Sequence, residues 1–232
     1  MLKVILFAPI HTSLYARLVL HGLQQEEKVQ VVGVVVCSPW SIQRIHSEWR
    51  RDARRLLQKF IRKYLLREKV ILGKGEENLA SLAVKEGLTG GSLKGDAQKV
   101  GVPYLVCRNF NEKKCIDFIR ACNPHVIVFT GGGLIRQKVL ELPQYGVLNC
   151  HSGVLPSFRG MDIVEWTALT RAIAEVGFGV TLHYMDKGVD TGPILLVHRL
   201  ELSSDDTFAT IRMRLEVEMV RTMLEGVHGI AF

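Results

Sequence analysis

Gly146-Val147-Leu148-Asn149-Cys150-His151-Ser152-Gly153-Val154-Leu155-Pro156-Ser157-Phe158-Arg159-Gly160 is the stretch whose reading decides the fold. Val147 to His151 has the apolar run of a short buried strand. Side chains alternate faces along a strand, so Asn149 and His151 share one face and Cys150 takes the other. An amide and an imidazole therefore stand together at the carboxyl end of a sheet strand. A second stretch, Gly179 to Leu195, holds the Gly-flanked loop Lys187-Gly188-Val189-Asp190-Thr191-Gly192, which can return to the same edge. Amide, imidazole and carboxylate are the groups needed to attack or transfer an acyl carbon.

Working outward, Leu2 to Ala8 and Val29 to Cys37 read as buried strands, the first continuous in apolar residues and the second rich in valine. Val102 to Val106, His125 to Phe129, Gly179 to Met185 and Pro193 to Leu200 read as further strands. Helices are expected from Thr12 or Ser13 to Gln24, Glu76 to Glu86, Ser92 to Val100, Asn111 to Cys122 and Gly160 to Val176. A last one runs from a Ser204 cap to Gly226. Trp166 and Leu169 are assigned to the buried side of the Gly160 helix. Exposed apolar residues on the terminal helix would permit a homodimer. Strands alternating with helices predict an α/β chain: an open, mostly parallel sheet with helices on both faces.

The chain has 232 residues, 47% hydrophobic and 23% charged, which suits one globular domain and excludes a disordered tail protein. The opening Met1-Leu2-Lys3-Val4-Ile5 run is read as a strand and not a signal segment. Five cysteines without a C-x-x-C pair predict reduced thiols and a cytoplasmic protein.

The net charge of +7 is local. Ser41 to Lys69 carries ten Lys or Arg against three acids, so the remainder balances to zero. Apolar residues there recur at helical spacing, from Ile42, Ile45 and Trp49 to Phe60, Ile61 and Tyr64. An inserted basic amphipathic helix over 41–72 is expected. Its charged face is a solvated surface, a contact for an anionic ligand, or a site for membrane or RNA. Single-strand stacking lacks interleaved aromatics, and nucleic acid is not the expected partner.

Asn149-Cys150-His151 followed by Leu155-Pro156-Ser157-Phe158-Arg159-Gly160 resembles the signature of the formyltransferase family. Val180-Thr181-Leu182-His183 with Val189-Asp190-Thr191-Gly192-Pro193-Ile194-Leu195 resembles its second half. The likeness is specific from Val126 to Leu215 and weaker from Met1 to Val36. It implies a Rossmann-like sheet and transfer of a formyl group from 10-formyltetrahydrofolate to a primary amine. Asn149, His151 and Asp190 become the catalytic residues, with Asp186 the competitor for Asp190. Folate contacts are expected at Gly132, Gly133, Leu134, Ile135, Leu155, Pro156, Asp186, Lys187, Gly188 and Val189. His11, Thr12 and Ser13, at the first strand-to-helix turn, are candidates for acceptor binding; by themselves they read as a helix cap.

The first turn lacks G-x-G-x-x-G, so NAD is not expected. It also lacks a glycine-rich phosphate loop, which weighs against glycinamide ribonucleotide as acceptor. No sequence follows Phe232 to build a tRNA-binding domain, which weighs against methionyl-tRNA. A nucleotide-linked amino sugar is the expected acceptor. Formyltetrahydrofolate hydrolase is the alternative, and a non-catalytic binding module using the basic helix is the alternative of another class. The hydrolase commonly carries an N-terminal regulatory domain, and Met1 opening directly on the first strand weighs against it. No metal is expected, because zinc on His151, His183 and Asp190 would lack the usual spacings. Cys150 as nucleophile is opposed by strand alternation, and Ser152 by the absence of G-x-S-x-G.

Overall fold

The computed structural model describes residues 1–37 and 77–232. The expected basic helix over 41–72 lies outside these residues. The described elements are β1 (Leu2–Ala8), α1 (Leu14–Gln25), β2 (Val29–Cys37), α2 (Leu79–Lys85), α3 (Leu93–Lys99), β3 (Tyr104–Cys107), α4 (Lys113–Cys122), β4 (Val126–Phe129), α5 (Gln137–Leu140), β5 (Gly146–His151), α6 (Ile163–Leu169), β6 (Gly179–Tyr184), β7 (Ile194–Arg199) and α7 (Phe208–Ala231). The strands form one sheet in the order β3-β2-β1-β4-β5-β6-β7. β3 to β5 are parallel, and β6 and β7 are antiparallel additions beside β5.

Alternation along the strands sorts two cores. Val4, Leu6, Val128, Leu148, Cys150, Val180 and Leu182 face the layer of α1 and α7. Ile5, Phe7, Ile127, Phe129 and Val147 face the layer of α4 and α5, with Phe110 stacked on Phe7 at 4.3 Å. Val147 is the last residue of β5 packed in this second core. Asn149 and His151 follow on the same face, past the end of that layer, where polar groups meet a cleft. Cys150 points into the first core, and burial pushes its thiol far up, so it carries no thiolate chemistry.

Four expectations about helices are corrected. The helix expected from Gly160 to Val176 is only Ile163–Leu169. The Thr167 and Thr170 hydroxyls donate back to the carbonyls of Ile163 and Trp166, and Arg171 takes a left-handed conformation, φ 58°, which ends the helix. Trp166 and Leu169 are not buried but 51% and 71% exposed, while Ile163, Val164 and Thr167 form the inner face. The last helix is capped at Thr207, not Ser204, and runs to Ala231. Thr207 Oγ1 accepts from Thr210 N while Thr210 Oγ1 accepts from Thr207 N, a reciprocal cap. Asp206 is instead occupied by the Ser203 N–H and the Arg214 guanidinium.

The fourth correction bears on the site. Asn111 does not cap α4, which starts after Glu112. Its amide donates to Leu134 O at 2.8 Å and its carbonyl accepts from Arg136 N at 2.7 Å. Asn111 thus pins the turn that follows β4. No described helix is long and apolar enough to cross a membrane.

Candidate active site

β5 and β6 pair antiparallel with Asn149 opposite His183 and His151 opposite Thr181. Directly opposed residues share a face, so all four side chains project together. Thr181 serves the backbone: its hydroxyl donates to Gly153 O at 2.7 Å and accepts from Leu155 N at 3.1 Å. That fixes the loop leaving His151. Asn149 Nδ2 meets His183 Nε2 at 3.1 Å, and His183 Nδ1–H donates to Tyr184 O at 2.9 Å. A carbonyl can only accept, so the proton of neutral His183 sits on Nδ1 and Nε2 accepts from the amide. The second N–H of Asn149 is then left for a ligand oxygen.

Asp190 comes to the same place from the loop between β6 and β7, in a left-handed conformation with φ 51° that Asp tolerates. Its Oδ2 lies 3.4 Å from His151 Nδ1 and its Oδ1 3.5 Å from His183 Nε2. Gly160 N–H donates to Oδ2 at 3.0 Å. Burial alone would raise the Asp190 pKa. The facing His183 ring, the Gly160 N–H and the His151 ring outweigh it and hold the carboxyl below its ordinary value. For His151, burial lowers the pKa and prevails over Asp190 and the Phe158 carbonyl, which raise it. His151 Nε2–H donates to Phe158 O at 3.1 Å, which leaves Nδ1 as the basic nitrogen beside Asp190. Asp186 is engaged elsewhere. Its Oδ1 accepts from Gly188 N at 2.9 Å and Thr191 Oγ1 at 2.6 Å, shaping the loop.

A cleft of ≈ 510 Å³ opens on these groups. Gly131, Gly132, Gly133 and Leu134 form one wall and Asp186, Gly188 and Val189 another, with Asn149, His151, His183 and Asp190 at the base. Backbone at Gly132 must come close: φ is +122°, and a Cβ there would stand 2.6 Å from Phe110 and 3.2 Å from Pro9 Cα. Not every expected contact lines this cleft. Ile135 is buried in the second core, and Leu155 is buried with its N–H on Thr181. Pro156 and Lys187 are not among the lining residues either. Ser13 is the N-cap of α1, its hydroxyl accepting from Ala16 N, and His11 O accepts from Leu93 N. His11 and Thr12 stand exposed on that turn.

His183 is legible in the sequence only as part of a motif. The β5–β6 register gives it contact with both Asn149 and Asp190, a signal that sequence spacing does not contain. No group of three or more His, Cys, Asp or Glu is placed to hold a metal among the described residues.

An open α/β sheet with an amide, an imidazole and a carboxylate converging beside a glycine-walled cleft has the groups that acyl-group transfer needs. A profile of the family described as "Formyl transferase" matches residues 2–227, and this chain belongs to that family. The methionyl-tRNA formyltransferase of Kosmotoga olearia is 34% identical over 120 residues, 51% of this chain and 38% of that protein. That of Thermotoga maritima is 32% identical over 133 residues, 57% of this chain and 41% of that protein. These matches span less than half the length of those relatives. Among solved structures, phosphoribosylglycinamide formyltransferase from Bacillus halodurans superposes with TM-score 0.62 at 16% identity, covering 98% of this chain and 94% of that one. A formyltetrahydrofolate deformylase from Pseudomonas syringae gives 0.63 at 15%, covering 99% and 61%. At such identities the two structures share the fold.

Proposed function

We propose that this chain, as a single domain over 1–232, moves the formyl group of 10-formyltetrahydrofolate onto the primary amine of a nucleotide-linked amino sugar. The observation that carries the chemistry is the 3.4 Å approach of His151 Nδ1 to Asp190 Oδ2 beside the Asn149 amide. The folate lies in the cleft walled by Gly132, Gly133, Leu134, Asp186, Gly188 and Val189. Asn149 N–H donates to the formyl oxygen as charge develops there. The amine nitrogen bonds to the formyl carbon and surrenders a proton to His151 Nδ1, which is neutral at pH 7 because burial depresses it. Asp190 then faces an imidazolium instead of a lone pair, which stabilises the transition state. The bond from the formyl carbon to the folate nitrogen breaks, and that nitrogen takes the proton back. The N-formylated amino sugar and tetrahydrofolate result, with no other reactant.

The amino-sugar acceptor rests on the first turn, which has no glycine-rich phosphate loop, and on the basic 41–69 stretch as a partner for an anionic group. The experiment is tetrahydrofolate release from 10-formyltetrahydrofolate by the full chain, with and without dTDP- and UDP-linked 4-amino sugars. Release that needs the amine supports transfer. Release without amine means hydrolysis, and absence of folate binding means a binding module.

A further inference from the structure

A neutral imidazole has one N–H, and His151 lies between two acceptors for it: Phe158 O, 3.1 Å from Nε2, and Asp190 Oδ2, 3.4 Å from Nδ1. With the proton on Nε2, Nδ1 is a base that faces Asp190. With the proton on Nδ1, the lone pair points at a backbone carbonyl and the base is lost to the site. Which tautomer forms therefore depends on how firmly Phe158 O is held. Phe158 belongs to the loop that leaves β5, and its N–H donates to Val154 O at 3.3 Å. The start of that loop hangs on one side chain of β6. Thr181 is fully buried and directly opposes His151. Its hydroxyl donates to Gly153 O at 2.7 Å and accepts from Leu155 N at 3.1 Å, gripping the chain on either side of Val154. Gly153 packs against the ring itself: a Cβ there would stand 2.9 Å from His151 Nε2. The far end of the loop is tied to the competing acceptor, because Gly160 N–H donates to Asp190 Oδ2 at 3.0 Å.

We propose that Thr181 is a positioning residue for the reaction: by clamping Gly153 and Leu155 it holds Phe158 O against His151 Nε2 and so keeps Nδ1 free as the base. Thr181 itself touches no reacting atom. Without its hydroxyl, Gly153 O and Leu155 N–H are left unpaired in a buried place, and the loop shifts to satisfy them elsewhere. Phe158 O then withdraws, Asp190 Oδ2 becomes the better acceptor, and the ring proton passes to Nδ1. The catalytic consequence rests on the formyl-transfer reading; the tautomer does not.

The test uses the full chain labelled with ring-15N histidine, and NMR at neutral pH identifies which ring nitrogen carries the proton. The His151 signals are assigned by their loss in His151→Gln. The parent protein is expected to carry the proton on Nε2, Thr181→Val on Nδ1, and Thr181→Ser, which keeps the hydroxyl, on Nε2 again. Tetrahydrofolate release is expected to follow the tautomer. Thr181→Val should lower kcat about 10- to 100-fold, part of what a positioned base contributes, with KM for 10-formyltetrahydrofolate little changed, and Thr181→Ser should restore it. Val matches Thr in shape. Should Thr181→Val not fold, Thr181→Cys, whose thiol is a weak donor and acceptor, is expected to move the proton in the same direction to a smaller extent. A parent ring protonated on Nδ1 overturns the proposal, as does a proton that stays on Nε2 when the hydroxyl is removed. A proton that moves as expected while release is unchanged would keep the Thr181 clamp and overturn the transfer chemistry assigned to Nδ1 instead.

Discussion

Asp190 Oδ2 stands 3.4 Å from His151 Nδ1 while the other side of the imidazole, Nε2–H, is held by Phe158 O at 3.1 Å. One nitrogen is committed to the backbone and the other to a carboxylate. Neutral His151 therefore presents a base at Nδ1, and only the protonated ring satisfies both contacts.

Removing the amide should show its role directly. Asn149→Ala is expected to lower kcat about 100- to 1,000-fold, the usual cost of one donor to a developing oxyanion. His151→Ala and Asp190→Ala should each abolish most turnover, with circular dichroism unchanged. Tetrahydrofolate release is the measurement. Near-normal release by Asp190→Ala would move the carboxylate role to Asp186.

The pH profile follows from the direction of the His151 shift. Its folded pKa lies below the ordinary 6.5, so the base form persists into mild acid and kcat/KM falls only below that lowered value. Asp190 raises the His151 pKa, so Asp190→Asn should move the acid limb of the surviving activity to still lower pH. A limb moving upward would contradict the pairing. Stability obeys the same sign. The unfolded chain protonates His151 first as pH drops through 6.5, so this group costs the fold stability between 6.5 and its lowered folded value. Asp190, held below its ordinary value, contributes stability above the unfolded carboxylate pKa that is lost as pH falls through the folded one.

Gly132 and Gly133 separate strain from collision. Both have positive φ, +122° and +110°, but a Cβ at Gly133 meets nothing within 4 Å. Gly133→Ala is expected to cost about 1–3 kcal/mol from backbone strain. Gly132→Ala adds contact with Phe110 and Pro9 and should cost about 1–3 kcal/mol more. Urea unfolding of the two variants gives the comparison, and equal losses would mean that the close approach at Gly132 is not tight.

Asn111 offers a test of the cleft wall from outside it. It touches none of the reacting groups but holds Leu134 O and Arg136 N. Asn111→Ala should raise KM for 10-formyltetrahydrofolate severalfold while kcat stays within about twofold, because a looser turn weakens ground-state and transition-state binding alike. A loss confined to kcat would mean that the turn orients the reaction itself.

β-branched runs at Val29–Cys37 and the alternation of Asn149, Cys150 and His151 set the strands and their faces, since a period of two is written in consecutive residues. The paired motifs likewise single out Asn149, His151 and Asp190 without any coordinate. Helix ends resist such reading. At Ser204 and Thr207 two good caps compete, and the winner is set by Thr210 and by Arg214 drawing Asp206 away. Apolar spacing points Trp166 and Leu169 inward, yet it does not say which side of a short helix finds a partner, and both are exposed.

Sequence alone determined the alternating strands and helices, the family and the three candidate groups Asn149, His151 and Asp190, because those depend on local periodicity and on residue identity. Only the tertiary structure decided the placement of His183 between Asn149 and Asp190 and the burial of the Ile135 and Leu155 side chains. Each of these depends on segments remote in the chain, brought together by strand register and packing, and no short window of residues encodes such a distance.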